Sequence, residues 1–304
     1  MARGVSIVGQ DDVQLTNLYI ENTTHSGVYV AHERFWHTRV PSRVRVSDAE
    51  LRNAGAWACA RIDPQNANCM QPTAGRDAAV AVRQVGSASL TSVRVVGSGG
   101  VGFAVTAALP STRSHVSLQG CSAEHSGAGA ACLYAYVAEQ HQEVMREGGV
   151  LSAHPSSWRG QTTSAPHDLM RQGTDLFVSD FHAERCGGPA LTAIGLGRLM
   201  VHGLRAVDAC TSPSPLRRLV WTERNRAVSL AGVHALYSYR SNASDGSVRC
   251  DRICAQCGQK NAGSSCVVND VTYLFEQGEL PPQDQNVTVQ NDGDACRLQL
   301  MGVP

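Results

Sequence analysis

The sequence predicts an all-β chain coiled as a parallel β-helix, a solenoid of about eight or more rungs. Three observations predict it. A ten-residue template recurs eight times without internal gaps. Its third, sixth and eighth positions are apolar throughout. Its fifth position is always Asn, Asp, Ser or Gly.

The segments begin at Val13, Val44, Ala88, Val116, Leu176, Leu199, Val228 and Cys266. The third position reads Leu15, Val46, Leu90, Leu118, Val178, Val201, Leu230 and Val268. The sixth reads Leu18, Ala49, Val93, Cys121, Phe181, Leu204, Val233 and Val271. The eighth reads Ile20, Leu51, Val95, Ala123, Ala183, Ala206, Ala235 and Tyr273. Alternation with period two places one face of a strand in a core. Here the alternation breaks once, at Asn17, Asp48, Ser92, Gly120, Asp180, Gly203, Gly232 and Asp270. These residue types tolerate the left-handed backbone that a sharp bend needs. Each template therefore reads as two short strands joined at a bend. A second polar or glycine-rich turn often follows, as at His25-Ser26-Gly27 and Ser98-Gly99-Gly100. A third short strand can follow that turn, for example Val28-Tyr29-Val30. A β-sandwich also alternates, but its strands rarely share one template with the bend in one place.

Uneven spacing locates the loops. The sixth-position residues Phe181 and Leu204 are 23 residues apart, whereas Cys121 and Phe181 are 60 apart. A bare rung needs about 22 to 24 residues. The long gap therefore holds an insertion at about 138–173, whose start, AEQHQEVMREGG, suits a short helix. Smaller loops are expected near 31–42, 63–77 and 210–218. The chain divides into a β-helix core over 1–239, a Cys-rich loop over 240–265, and the last rung or rungs with a C-terminal segment over 266–304.

This repeat pattern resembles the right-handed parallel β-helix, or pectin-lyase-like, superfamily. The resemblance covers about Val5 to Tyr239 well and the remainder weakly. It implies a right-handed solenoid and, by analogy with relatives that act on polysaccharides, a glycan ligand. It rests on repeat pattern, and fold analogy alone is a weak warrant for chemistry. Gly9-Gln10-Asp11-Asp12 is similar to the paired aspartates of polygalacturonases, but that family's Gly-His-Gly and Arg-Ile-Lys elements are missing. Asp11-Asp12 reads better as a turn entering the first rung. Asp63-Pro64-Gln65 stops short of the Asp-Pro-His-Glu signature of mannuronan epimerases.

Composition bounds the function classes. Hydrophobic residues make up 42% of the 304 residues and charged residues 17%, which suits a folded chain. Formal net charge is +0, so no global field draws the chain to nucleic acid or anionic lipid. Lys260 is the only lysine, which leaves little room for lysine chemistry. No apolar run approaches a membrane span. Met1-Ala2-Arg3-Gly4 leads straight into strand-like sequence, without a signal region or a capping element. The chain is therefore expected either to be a fragment of a longer protein, which could carry further domains, or to have its true start upstream. No phosphate loop, dinucleotide fingerprint or nucleophile elbow appears, and no cofactor or metal is expected.

Eleven cysteines point two ways. Cys121 and Cys266 occupy inward positions as small core residues. Cys250, Cys254, Cys257 and Cys266 fit either a structural zinc site or one or two disulfides. Sequons at Asn22, Asn242 and Asn286 add support for an extracellular or cell-surface location. Asn22 also sits at a rung turn, where backbone geometry alone accounts for it.

The candidate site comes from the outward positions. The seventh reads Tyr19, Glu50, Arg94, Ser122, His182, Arg205, His234 and Thr272. The ninth reads Glu21, Arg52, Val96, Glu124, Glu184, Val207, Leu236 and Leu274. Rungs stack roughly 4.8 Å apart. Stacking brings Glu124, Glu184, His182, Arg205 and His234 into one patch. Two carboxylates one rung apart are expected to repel, raising one pKa toward that of an acid catalyst. A spacing of roughly 5 Å also suits a retaining glycosidase pair. Glu124, Glu184 and His182 are thus the candidate catalytic residues. Arg205, His234 and Arg185 are the candidate substrate-binding ones, with Arg205 suited to a uronate carboxylate. Against this stands the ordinary solvated face of any solenoid, where such charges need no catalytic role. Two functions follow. One is an extracellular or surface domain that recognises an extended polysaccharide, with or without processing it as a hydrolase or lyase. The other is a non-catalytic structural or adhesive segment of a larger surface or virion protein.

Overall fold

The computed structural model describes residues 4–8, 10, 12–31, 43–55, 78–83, 85–107, 115–127, 131–137, 174–194, 196–209, 219–225 and 227–237, together with the backbone of four later strand segments. These residues are all-β, with no helix among them. Nineteen strands, numbered along the chain, form two parallel sheets. The first sheet contains β1 (Val5–Val8), β3 (Val28–Ala31), β5 (Val80–Arg83), β7 (Phe103–Ala107), β10 (Leu133–Val137), β12 (Leu191–Ile194), β14 (Val220–Asn225), β16 (Ile253–Cys257) and β18 (Val287–Gln290). The second contains β2 (Asp12–Glu21), β4 (Arg43–Arg52), β6 (Ser87–Val96), β8 (His115–Gln119), β9 (Ser122–Glu124), β11 (Asp175–Glu184), β13 (Arg198–Val207), β15 (Ala227–Tyr237), β17 (Ser265–Phe275) and β19 (Leu298–Met301). The chain passes alternately between the two sheets, and each strand pairs with its counterpart one repeat on.

The template register is the register of the second sheet. Val13 pairs with Val44, Val44 with Ala88, Ala88 with Val116, Val116 with Leu176, and so on to Cys266. A further strand within the expected last-rung segment continues the ladder, with Leu298 paired to Cys266. From β4 to β15 every third-, sixth- and eighth-position side chain is at most 3% exposed. In the first repeat Ile7, Leu15, Leu18 and Ile20 are only partly buried, because β1 and β2 are the edge strands.

The bend has the conformation its residue types predict. Asn17, Asp48, Ser92, Gly120, Asp180, Gly203 and Gly232 all have positive φ, between 52° and 76°. One left-handed residue moves the alternation by one position, so the apolar residues on both sides of the bend still point inward. Only at Gly120 is the strand divided, into β8 and β9. Elsewhere the two expected short strands are one bent strand.

A second left-handed position recurs at the tenth place of the template. Asn22, Asn53, Gly97, His125, Arg185 and Asp208 all occupy it. Their amides donate across to the next repeat, as in Asn53 N to Val96 O at 2.9 Å and Arg185 N to Val207 O at 2.8 Å. Asn22 has φ 57°, and its Oδ1 accepts from Asn53 Nδ2 at 3.2 Å, so geometry does account for that residue.

The interior between the sheets is one continuous apolar cluster. Phe103 of β7 meets Phe181 of β11 edge to face, with centroids 5.7 Å apart. The buried side chain of Asn225 closes a turn. Its Oδ1 accepts from Leu196 N at 2.8 Å, and its Nδ2 donates to Ala193 O at 3.0 Å. Tyr29, Ala81, Ala104 and Tyr134 form a row on the opposite face of the first sheet and are buried as well. Cys132 and Cys186, both buried, form a disulfide with Cα atoms 5.5 Å apart across 54 residues of sequence. It ties the approach to β10 to the residue that follows the β11 turn.

Several expectations fall outside the described residues. They are the 138–173 insertion with its short helix, most of the smaller loops at 31–42, 63–77 and 210–218, and the sequons at Asn242 and Asn286. Asp12 opens β2, so it is the first residue of a strand, while Asp11 is outside. The segment 240–265, expected as a Cys-rich loop, contains strand β16, which pairs with β14 and β18. Cys254 and Cys257 lie on it and Cys266 on β17, but the side chains that would decide between zinc and disulfide are outside the described set. Among the described residues no helix is long and apolar enough to cross a membrane.

Candidate functional site

Outward side chains of the bent strands form the charged face. β-Pairing places Glu50 beside Arg94, Arg94 beside Ser122, Ser122 beside His182, His182 beside Arg205 and Arg205 beside His234. It also places Glu124 beside Glu184. The six candidate residues therefore do come together, on β9, β11, β13, β15 and the turn after β11.

The electrostatics differ from the expectation. Arg94 grips Glu124 with both ends of its guanidinium, Nε to Oε1 at 3.0 Å and Nη2 to Oε2 at 3.1 Å. This diagonal contact holds the Glu124 carboxyl below its ordinary range, against the smaller upward push of burial. Glu124 is therefore not the carboxylate of the pair whose pKa rises toward that of an acid catalyst. A paired guanidinium in direct contact outweighs a carboxylate one strand away. The same contact is the leading reason that the Arg94 pKa is raised. Arg94 was legible as an outward residue at the seventh position. Its role lay in the offset between that position and the ninth position of the next repeat.

The remaining acids are also engaged. Glu50 accepts from Arg52 Nε at 2.7 Å. Glu184 lies 3.4 Å from His182 Nε2 and 3.8 Å from Arg185 Nε. Arg185 occupies the left-handed tenth position, φ 48°, so its side chain leaves the turn directly beside Glu184.

Further along, the balance changes. Among the described residues neither Arg205 nor His234 has a hydrogen-bond or ion-pair partner. The outward row of β13 reads Arg198, Met200, His202 and Arg205, all exposed and with no carboxylate among them. Sequence reasoning missed Arg198, Met200 and His202, although the period-two rule that marks the inward positions marks these as outward. Phe177 pairs with Met200 and adds an apolar element to the row. Among the described residues no group of three or more His, Cys, Asp or Glu side chains is placed to hold a metal ion.

No family model, curated protein or solved structure matches the chain.

Proposed function

We propose that the two sheets wind as a right-handed parallel β-helix of the pectin-lyase-like kind, and that the outward face of β11, β13 and β15 recognises an extended anionic glycan at a cell surface or outside the cell. The observation that carries this reading is the contrast in pairing. Upstream carboxylates are neutralised by Arg94, Arg52 and Arg185, whereas Arg205 and His234, side by side in one row, have no partner among the described residues. An unpaired arginine flanked by two histidines suits a carboxylate or sulfate of a linear polymer. Met200 and the partly buried Phe177 offer the apolar surface on which a sugar ring packs. The buried Cys132–Cys186 disulfide fits an oxidising compartment.

We assign this face to binding and not to glycosidic bond cleavage. A carboxylate gripped by arginine, as Glu124 is, is a poor proton donor. The His182–Glu184 pair then orients ligand hydroxyls. On this reading the face resembles that of an adhesive segment of a surface protein more than that of a polysaccharide hydrolase or lyase.

A glycan array on the intact chain tests the reading. Binding to uronate-containing or sulfated linear glycans is expected, and Arg205→Ala is expected to weaken it at least about tenfold, the loss of one charge-assisted contact. Glu184→Gln is expected to retain it. Absence of binding to every acidic glycan, or an unchanged affinity in Arg205→Ala, contradicts the assignment.

A further inference from the structure

A different outward column holds a second chemistry. The residue just before each template's first position reads Ser87, His115 and Asp175 on the consecutive strands β6, β8 and β11. Pairing sets Ser87 directly beside His115, and His115 directly beside Asp175. Three residue types that together activate a hydroxyl nucleophile thus stand side by side, in the order nucleophile, base, orienting carboxylate.

The contacts favour that order. Asp175 Oδ2 lies 3.6 Å from His115 Nδ1. The Asp175 side chain is 6% exposed while that of His115 is 54% exposed. With the buried carboxylate on its Nδ1 side, the ring has Nε2 left for a hydroxyl, and Ser87 is the neighbour on the other adjacent strand. Ser87 is half-buried and its backbone is held within β6. His115 is anchored by its amide, which donates to Gly86 O at 3.0 Å. In an unliganded site the hydroxyl-to-imidazole hydrogen bond is commonly long and closes only around substrate.

We propose that Ser87, His115 and Asp175 form a nucleophilic relay that hydrolyses carboxylic esters. The Ser87 Oγ attacks the ester carbonyl carbon, and its proton passes to His115 Nε2. The bond from carbon to the alkoxy oxygen then breaks, and that proton leaves with the alcohol. Water attacks the acyl-serine carbon, gives its proton to Nε2, and the Oγ leaves with that proton, releasing the carboxylic acid. The Asp175 side chain steadies the imidazolium. Oxidants, metals and cofactors are not needed. The relay lies on the other side of the bend from Arg205 and does not depend on glycan binding.

The test uses the intact chain with a fluorophosphonate probe and p-nitrophenyl acetate. Covalent labelling is expected on the peptide carrying Ser87, and it should vanish in Ser87→Ala. Turnover is expected to fall by about 10²- to 10⁴-fold in Ser87→Ala and His115→Ala, the range for loss of a nucleophile or its base. Ser87→Ala removes one half-buried hydroxyl, and an unchanged melting temperature verifies its fold. Asp175→Asn keeps the shape of the buried group and serves as the second variant; it should lower turnover as well. Hydrolysis that persists in Ser87→Ala, labelling at another residue, or an intact chain that neither reacts nor turns over would each overturn the relay. Because Ser87→Ala should still bind glycan, failure here is distinguishable from failure of the glycan reading.

Discussion

The inward and outward columns of the same strands obey different rules. In β11, Leu176, Val178, Phe181 and Ala183 point inward and are buried, while Phe177, Ser179, His182 and Glu184 alternate with them on the outside. From one repeat to the next the inward positions exchange one apolar side chain for another. The outward positions pass through Tyr, Glu, Arg, Ser and His in a single column. The lesson is that fold and function occupy alternate residues. The inside specifies stacking, and the outside is free to vary because each repeat's backbone is already satisfied by its neighbours.

The largest expected effect breaks the inside. Phe181→Ala removes the ring that meets Phe103 and should cost about 3–5 kcal/mol, read as a shift in the urea midpoint. Asn225→Ala comes next. It leaves the Leu196 amide and the Ala193 carbonyl buried without their partner, at about 1–3 kcal/mol for each unsatisfied group. Asp180→Val forces a β-branched residue into φ 52° at the bend and should cost about 1–2 kcal/mol.

The smallest effect comes from the outside. Arg94→Ala should change stability by less than about 1 kcal/mol at neutral pH, since Arg94 is half exposed. Its signature is instead in pH dependence. Arg94 depresses the folded-state pKa of Glu124, so the pair's contribution is present above the ordinary glutamate value of about 4.3. That contribution is lost as pH falls through the depressed folded value. Arg94→Ala should flatten this part of the acid limb in denaturation experiments run from neutral to low pH. An acid limb identical to that of the parent chain counts against the Arg94–Glu124 clamp.

How much was legible follows from the same division. The second sheet was readable down to its register, because period-two alternation and a bend residue repeat together from Asn17 to Gly232. The first sheet was mostly not. Its strands are four to six residues long, and in β3 all four residues of Val28–Ala31 are buried, so no alternation marks them. A strand covered on both faces reads only as a short apolar run. Cys132 and Cys186 escaped notice because they lie 54 residues apart without a spacing motif. They meet because stacking aligns their repeats. The seventh- and ninth-position neighbours of the candidate site were legible as columns. The protonation of Glu124 was not, because it depends on a diagonal contact that column alignment does not display. Asn225 was hidden for a similar reason: its partners, Ala193 and Leu196, belong to the preceding repeat.

The most direct test of the stacking itself is a distance along it. Tyr19 and His234 are exposed members of one column, separated by six successive repeats. Spin labels placed there through a keto amino acid, which avoids the eleven cysteines, can be read by double electron–electron resonance. Parallel stacking predicts one narrow distribution centred near 29 Å, six steps of about 4.8 Å, allowing for the label arms. A broad distribution, or a centre more than about 10 Å from that value, contradicts parallel stacking in this register.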